Sequence, residues 1–354
     1  MKINKIIVLK ETRAGEARVA FTPETTAYFV NKKYSILVEK NAGKLAGFSD
    51  QNYIDVGATV FEFDNFIFPE NSLILRVKIP SKERQYLEKN RFRPDTIMLG
   101  FLDPLDREIT PYVSDWKNAR ITTISLELLD LTSDDPRNAQ AAMSRFAGKL
   151  ALQDALQRYQ AALPKKVTVL GTGPAGLGAA FMARELNLPL QLFGRQERHR
   201  QSVEAAGIVY RILPATGKIE FIRKYLNDQT IVIAAARNVG ERSPLLIDAA
   251  SLAVLSEGSI VVDLSAGEGG CVAGSQQDQV VLTEKNISIV NISGYPKAEP
   301  RAASEAYSEA VFSLLNEIMD FNGEINLEDS LLNAAWVTDR GEVNKKLNLL
   351  SFDR

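Results

Sequence analysis

The stretch VTVLGTGPAGLGAAFMAREL, residues 167–186, constrains the fold of this chain more than any other part of the sequence. A short apolar and β-branched run leads to three glycines at Gly-x-Gly-x-x-Gly spacing, and small and apolar residues at helical spacing follow. This order predicts a strand, a tight turn and a helix whose free N–H groups face a dinucleotide pyrophosphate. The predicted contacts with the dinucleotide lie along the turn: Gly171, Thr172, Gly173, Pro174, Ala175 and Gly176.

The next predicted strand, residues 188–193, indicates which dinucleotide would bind. An NAD site usually has Asp or Glu about 20 residues after the first glycine, where it holds the ribose 2′-hydroxyl. Here Gly194 and Arg195 stand at that point, with no carboxylate at the strand end. Because a guanidinium can pair with a 2′-phosphate, NADP(H) is the preferred cofactor and NAD(H) the second choice. The alternative is that Arg195, Arg198 and Arg200 form the solvated start of a helix.

Composition excludes several classes of protein. The 354 residues are enough for two cores, and a formal net charge of −2 with 24% charged residues argues against a nucleic-acid partner. No apolar run reaches the roughly 18 to 20 residues that span a bilayer, and residues 1–10 do not resemble a signal peptide. We therefore expect a cytoplasmic protein with a small-molecule substrate and no membrane partner.

The counts of cysteine and histidine narrow the possible chemistry. The chain has one cysteine, Cys271, and one histidine, His199, which excludes an internal disulfide and a Ser/His/Asp triad. A histidine-based metal site is excluded as well, and no metal is predicted. A general acid or base would then be Lys, Asp, Glu, Tyr or water, or else His199.

Strands also alternate with helices before residue 140, which predicts a second α/β unit. Lys78 ends one buried-strand pattern and Asp103 follows another, while Arg18 lies just before a helix that begins near Thr22 and Pro23. Ligands in open α/β sheets collect at the carboxyl ends of strands. Lys78, Asp103 and Arg18 are therefore predicted to share a cleft.

Two long helical patterns, residues 139–162 and 302–321, predict helices that cross between the two domains. The predicted boundaries are residues 1–140 plus 300–354 for a substrate and catalytic domain, and residues 141–299 for a dinucleotide-binding Rossmann domain.

Several segments in order match a known family. They are KETRAGEARVAFTP at residues 10–23, AGKLAGFSD at 42–50, VKIP at 77–80, GTGPAG at 171–176, and VDL at 262–264 followed by GGC at 269–271. Together they resemble alanine dehydrogenase and the N-terminal part of the pyridine nucleotide transhydrogenase alpha subunit over nearly the whole chain. The resemblance implies two Rossmann-like, doubly wound α/β domains flanking a cleft, and a homo-oligomer, either a dimer or a hexamer.

The resemblance also implies roles for individual residues. In alanine dehydrogenase the residues matching Arg18 and Lys78 bind the substrate carboxylate and carbonyl. A histidine that serves as the acid and base is replaced here by Asp103, and an aspartate by Gly267, with Glu268 next to it. Lys78, Asp103 and Glu268 are thus the candidate catalytic groups, and Arg18 and Lys78 the substrate-binding ones. A loop expected along the nicotinamide ribose carries three further candidates, Ala235, Arg237 and Asn238.

These residues predict an NAD(P)(H)-dependent oxidoreductase that acts on the C–N bond of an amino acid, or on a keto acid plus an amine. Because the family histidine is absent, formation of a secondary amine is as plausible as simple deamination. The alternative is a non-catalytic NADP(H)-binding sensor or a transhydrogenase-like nucleotide-binding subunit. A working transhydrogenase is disfavoured because Ser133, Asp135 and Asn138 replace the Arg, Gln and Asp that position nicotinamide in that family.

Overall fold

The computed structural model describes residues 1–104, 106–159, 166–227, 231–237, 242–320 and 322–347. The chain divides into two compact units, unit 1 from Met1–Ala142 together with the segment from Glu299 onward, and unit 2 from Met143–Ala298. Each unit is built on its own sheet with helices around it.

Unit 1 is a doubly wound sheet extended by a hairpin. Six strands pair in parallel in the order β3-β2-β1-β4-β5-β6, and an antiparallel pair, β14 and β15, continues the sheet beside β6. The strands are β1 (Lys5–Val8), β2 (Ser35–Glu39), β3 (Thr59–Phe61), β4 (Ser72–Lys78), β5 (Ile97–Phe101), β6 (Thr122–Ser125), β14 (Trp336–Asp339) and β15 (Glu342–Val343). The strand order reverses between β1 and β4, which is where such sheets bind ligands.

The helices of unit 1 are α1 (Pro23–Asn31), α2 (Asp50–Asp55), α3 (Lys82–Glu88), α4 (Thr110–Asn118), α10 (Pro300–Ile318) and α11 (Ser330–Ala335). Thr22 caps α1, because its side chain accepts from the backbone N–H of Thr25 and proline follows at the first helical position. Helix α10 fixes the segment before this cap. Ser304 Oγ accepts from the N–H of Val19 at 3.0 Å, and Ser308 Oγ accepts from that of Thr22 at 3.1 Å.

Unit 2 repeats the doubly wound order. Its sheet runs β12-β13-β11-β10-β7-β8-β9, parallel except for the edge strand β12. The strands are β7 (Val167–Leu170), β8 (Leu190–Gly194), β9 (Val209–Ile212), β10 (Ile231–Ala234), β11 (Ile260–Asp263), β12 (Val280–Leu282) and β13 (Ser288–Val290). The helices are α5 (Ala139–Arg158), which begins in unit 1, α6 (Pro174–Glu185), α7 (Arg200–Ala205), α8 (Lys218–Arg223) and α9 (Ala249–Ala253).

Two glycines allow α5 and α6 to pack backbone against backbone. A Cβ at Gly148 would lie 1.8 Å from the carbonyl oxygen of Ala175, and one at Gly178 would lie 2.0 Å from that of Arg145. Real Cβ atoms do not approach an oxygen so closely, so both positions exclude any other residue. The contact fixes the first turn of α6, which follows the glycine-rich turn.

The predicted α/β class with two parallel-dominated sheets is confirmed. Two features escaped prediction, the edge strand β12 and the β14–β15 hairpin. Val280 and Leu282 of β12 are 50% and 63% exposed, so the strand lacks the buried apolar run by which the other strands were found. Among the described helices, none has the length and apolar character needed to cross a bilayer.

Candidate functional site

The glycine-rich turn of unit 2 has the geometry of a phosphate cradle. Gly171 has φ +112°, and a Cβ there would lie 2.7 Å from the carbonyl oxygen of Ala235. A Cβ at Gly176 would lie 2.0 Å from the carbonyl oxygen of Gly171. Gly173 caps α6, and the position of its missing Cβ has no heavy atom within 4 Å. The turn is therefore closed against the sheet on one side and open above Gly173, where N–H groups at the start of α6 can meet an anion.

The three arginines that follow β8 have different surroundings in the structure. Arg200 is neutralised by ion pairs with Glu197 and with Glu204, the latter at 2.8 Å. Arg198 donates from Nε to the side chain of Gln196 at 2.8 Å. Arg195 is exposed and forms no ion pair with any of the described residues. Arg195 is thus the arginine best placed to supply charge to a ligand at the strand end.

The remaining candidates of unit 2 lie on two loops. Ala235 continues β10, and its N–H donates to the carbonyl of Leu170 at 2.8 Å, which holds its own carbonyl over Gly171. Arg237 is exposed on the same loop, whereas Asn238 lies outside the described residues. Glu268 ends a short 3₁₀ turn, Ala266–Glu268, and its side chain likewise lies outside the described part of the chain.

Asp263 holds the loop that carries Glu268, a role that sequence reasoning missed. The Asp263 side chain is fully buried and accepts from the backbone N–H groups of Ser265 and Cys271, both at 3.0 Å, and of Val272 at 3.2 Å. Cys271 Sγ lies 3.0 Å from both Ser265 Oγ and the carbonyl oxygen of Ala236. Cys271 is thus a buried packing residue with polar neighbours.

Lys78 and Asp103 meet at the carboxyl edge of the unit 1 sheet. Lys78 Nζ donates to Asp103 Oδ1 at 3.0 Å, and Arg13 Nη1 donates to Asp103 Oδ2 at 2.6 Å. The side chains of Lys78 and Asp103 are 26% and 25% exposed, so the pair is accessible to a small molecule. Burial opposes ionisation of Asp103, but the Lys78 charge and the hydrogen bonds from Arg13 and Lys78 outweigh it and lower the pKa of this carboxyl.

Glu127 fixes the backbone of Asp103. Its carboxylate accepts from the N–H groups of Leu102 and Asp103, both at 3.2 Å, and from the hydroxyl of Ser125. Asp103 has φ +48°, a left-handed conformation that few residues adopt without support. Burial raises the pKa of Glu127. Glu127 thus positions the carboxylate that Lys78 and Arg13 contact.

Arg18 is held by Glu16 in a buried ion pair. Arg18 Nε donates to Glu16 Oε1 at 2.7 Å, and Nη2 donates to Oε2 at 2.6 Å. The fixed guanidinium has the planar geometry that recognises a carboxylate, with its charge already balanced by one neighbour. The arginine that contacts Asp103 is instead Arg13, which sequence reasoning did not single out.

Glu11 and Tyr307 support the end of β4. Glu11 accepts from the N–H groups of Val77 at 2.6 Å and Lys78 at 3.1 Å, and the Tyr307 hydroxyl donates to the carbonyl of Arg76 at 2.8 Å. Tyr307 is buried, and this burial, together with the charge of Glu11, raises the pKa of its hydroxyl well above its ordinary value. That Arg18 shares a cleft with Lys78 and Asp103 stays a prediction.

Burial raises the pKa of Glu11 from its ordinary value of 4.5 to about 7, against the backbone hydrogen bonds that favour its ionised form. Between these two values the folded protein binds more protons than the unfolded chain, so stability falls as the pH rises from about 4.5 to about 7. We expect Glu11→Gln to reduce this slope in urea unfolding, and the exposed Glu24→Gln to keep it. An unchanged slope in Glu11→Gln would assign the pH dependence to other groups.

Comparison with known proteins covers nearly the whole chain. The family described as Alanine dehydrogenase/PNT, N-terminal domain, matches residues 7–147, and the corresponding C-terminal domain matches residues 139–346. The chain is 26% identical to the first part of the NAD(P) transhydrogenase alpha subunit of Rickettsia prowazekii, with 96% of each protein covered. It is 25% identical to alanine dehydrogenase of Staphylococcus epidermidis, with 86% of this chain and 85% of the relative covered.

Two solved structures share the fold. A transhydrogenase from Sinorhizobium meliloti matches with a TM-score of 0.85 and 25% identity, covering 96% of this chain and all of that one. An L-alanine dehydrogenase matches with a TM-score of 0.83 and 22% identity, covering 98% of each chain.

Proposed function

Because the chain belongs to the alanine dehydrogenase and pyridine nucleotide transhydrogenase family of NAD(P)-dependent oxidoreductases, we propose that it oxidises or forms a C–N bond. The substrate would be an amino acid, or a keto acid together with an amine. The observation that carries this proposal is the contact of Lys78 and Arg13 with Asp103, three charged and accessible groups at the carboxyl edge of a doubly wound sheet.

The cluster of Lys78, Arg13 and Asp103 in unit 1 has the groups that oxidation or formation of a C–N bond needs. A bound nicotinamide would supply the hydride acceptor or donor. Lys78 Nζ can donate a hydrogen bond to the carbonyl or carbinolamine oxygen of the substrate. Asp103, whose pKa is lowered, is ionised at neutral pH and can take up the proton that the substrate releases in the oxidative direction. In the reductive direction Asp103 would pass on a proton that it first receives from solvent.

Arg18 is the proposed site for the substrate carboxylate. Glu16 engages Nε and Nη2, which fixes the plane of the guanidinium, and the carboxylate would bind at Nη1. Arg13, whose side chain is 41% exposed beside Asp103, is a second cation that the substrate would meet. We also propose Glu268 as a catalytic residue, because it is adjacent to Gly267 in the sequence. Asn238 and Arg237 are proposed to contact the cofactor.

The transhydrogenase-like alternative is disfavoured by the loop before α5. Asp135 is bound by Arg137 through two side-chain hydrogen bonds of 2.9 and 2.7 Å. Asn138 accepts from the N–H of Ala141 at 2.8 Å and donates to the carbonyl of Leu131 at 3.2 Å. Both side chains stabilise their own loop, so neither is free to position a nicotinamide.

We propose NADP(H) as the preferred cofactor, because Arg195 follows a strand end without a carboxylate. Titration calorimetry with NADPH and NADH tests this. Loss of a charge-assisted contact predicts about 10-fold weaker NADPH binding in Arg195→Ala, with NADH binding unchanged. Arg200→Ala is the matched control, since Glu197 and Glu204 already neutralise that arginine. Equal losses for both dinucleotides in Arg195→Ala would refute the 2′-phosphate assignment.

Turnover separates the two candidate functions. Amino acids with the oxidised cofactor, and keto acids with ammonia or primary amines and the reduced cofactor, would be screened by nicotinamide absorbance. Turnover with one class identifies the substrate and supports the oxidoreductase. Dinucleotide binding without turnover across the panel favours the non-catalytic sensor.

We also propose a cytoplasmic homo-oligomer, a dimer or hexamer, which mass measurement in solution can test.

A further inference from the structure

The end of β8 has no room for a side chain. A Cβ at Gly194 would lie 2.3 Å from the hydroxyl oxygen of Tyr210 and 2.5 Å from Cγ2 of Thr172. Gly194 is not among the glycines with positive φ, so its backbone conformation does not require glycine. Only the close approach of Tyr210 and Thr172 excludes other residues from this position.

Tyr210 is held firmly in this place. It lies on β9 opposite Leu192 of β8, and it is 5% exposed. Its hydroxyl donates to the carbonyl of Gln196 at 2.9 Å and accepts a hydrogen bond from the side chain of Thr172. The ring therefore connects β9, the residues after β8 and the glycine-rich turn, and it cannot move aside without breaking these contacts.

Tyr210 and Thr172 fill the space where a Rossmann fold usually places the carboxylate that discriminates NAD(H) from NADP(H). A carboxylate at the end of the second strand accepts a hydrogen bond from the ribose 2′-hydroxyl and repels a 2′-phosphate. Both effects favour NAD(H) over NADP(H). With glycine at residue 194 the chain has neither effect, and the first charged side chain after the strand end is the exposed Arg195.

We propose that Tyr210, together with Thr172, determines dinucleotide specificity by filling the position from which a carboxylate on residue 194 would reach the ribose. This inference rests on dinucleotide binding in the proposed function but not on turnover. It assigns the specificity to an aromatic residue on the third strand, outside the glycine motif and the strand end itself.

Five variants test the proposal in calorimetry and thermal unfolding: Gly194→Ala, Gly194→Asp, Tyr210→Ala, and each Gly194 substitution combined with Tyr210→Ala. Gly194→Ala and Gly194→Asp should each lower the Tm, because the new Cβ meets Tyr210, and Gly194→Asp alone should not improve NADH binding. Tyr210→Ala removes the nearer clash and leaves Thr172 room to turn its methyl group away. The NADPH-to-NADH preference of Gly194→Asp with Tyr210→Ala should therefore move about 10-fold toward NADH relative to Tyr210→Ala. Gly194→Ala adds volume without charge, so it should lower the Tm less in the Tyr210→Ala background than in the wild type, and the double variant should keep the preference of Tyr210→Ala.

The outcomes distinguish this inference from the proposed function. A Gly194→Asp protein that melts like the wild type and already prefers NADH would overturn the inference, since Tyr210 would not exclude the carboxylate. An unchanged preference in the folded Gly194→Asp, Tyr210→Ala protein would also overturn it, because the strand end would then not contact the ribose. Wild-type protein that binds neither dinucleotide would overturn both, whereas binding without turnover would remove only the proposed chemistry.

Discussion

Replacement of Lys78 by alanine is expected to lower kcat for the substrate found in the screen by about 10²–10⁴-fold, the usual contribution of a positioned acid or base. Lys78 Nζ contacts Asp103 at 3.0 Å, and no other lysine shares this contact among the described residues. Its loss removes both the hydrogen bond to the substrate oxygen and the counter-charge of Asp103. The Kd for the dinucleotide, measured by calorimetry, should stay at the wild-type value because the glycine-rich turn belongs to unit 2.

Two further variants show whether the effect belongs to the cluster. Lys82→Ala removes an exposed lysine at the start of α3 and should leave kcat unchanged. In the oxidative direction we expect the wild-type kcat to fall at low pH as Asp103 becomes protonated. Asp103→Asn keeps the size of the side chain but cannot take up a proton, so this fall should disappear along with most of the activity. Near-normal turnover by Lys78→Ala would remove this cluster from the mechanism.

The second large effect concerns a buried ion network in unit 1. Arg84 pairs with both oxygens of Glu39 at 2.7 Å and with Glu88 Oε1 at 2.6 Å, and Arg76 Nη2 pairs with Glu88 Oε2 at 2.8 Å. All four side chains are at most 9% exposed. Glu88→Gln would leave two buried guanidinium groups with one carboxylate, and breaking such a network costs about 3–5 kcal/mol.

Urea unfolding measures this loss as a lower transition midpoint of unit 1. Lys40→Ala is the matched control, because Lys40 pairs with Glu62 on the exposed surface of the same unit. That variant should unfold at the wild-type midpoint within error, since exposed pairs contribute little. Equal midpoints for Glu88→Gln and Lys40→Ala would show that the buried network does not stabilise the unit. Replacing the network by apolar residues of similar volume should restore part of the loss.

Much of the fold can be predicted from the sequence, because the patterns that indicate helices, strands and turns each extend over only a few residues. The parallel strands are buried on both faces, so β4 contains the apolar run of residues 73–75 and β7 is apolar except for Thr168. Lys78 and Asp103 each follow such a run, and parallel pairing of β4 with β5 brings their carboxyl ends to one edge. That Lys78 and Asp103 lie near each other could therefore be expected from the sequence, whereas their direct ion pair could not. The C-terminal hairpin could not, since its partner β6 lies about two hundred residues earlier.

The alternation of strands and helices, the glycine turn and the positions of Lys78 and Asp103 at strand ends can be predicted from the sequence. These features follow from spacing, turn chemistry and apolar runs, which act over a few residues. The contact of Arg13 with Asp103, 90 residues away, and the position of Tyr210 beside Gly194 are apparent only in the folded chain. Such contacts depend on strand order and on the side of the sheet to which each side chain points, and short stretches of sequence do not encode these distances.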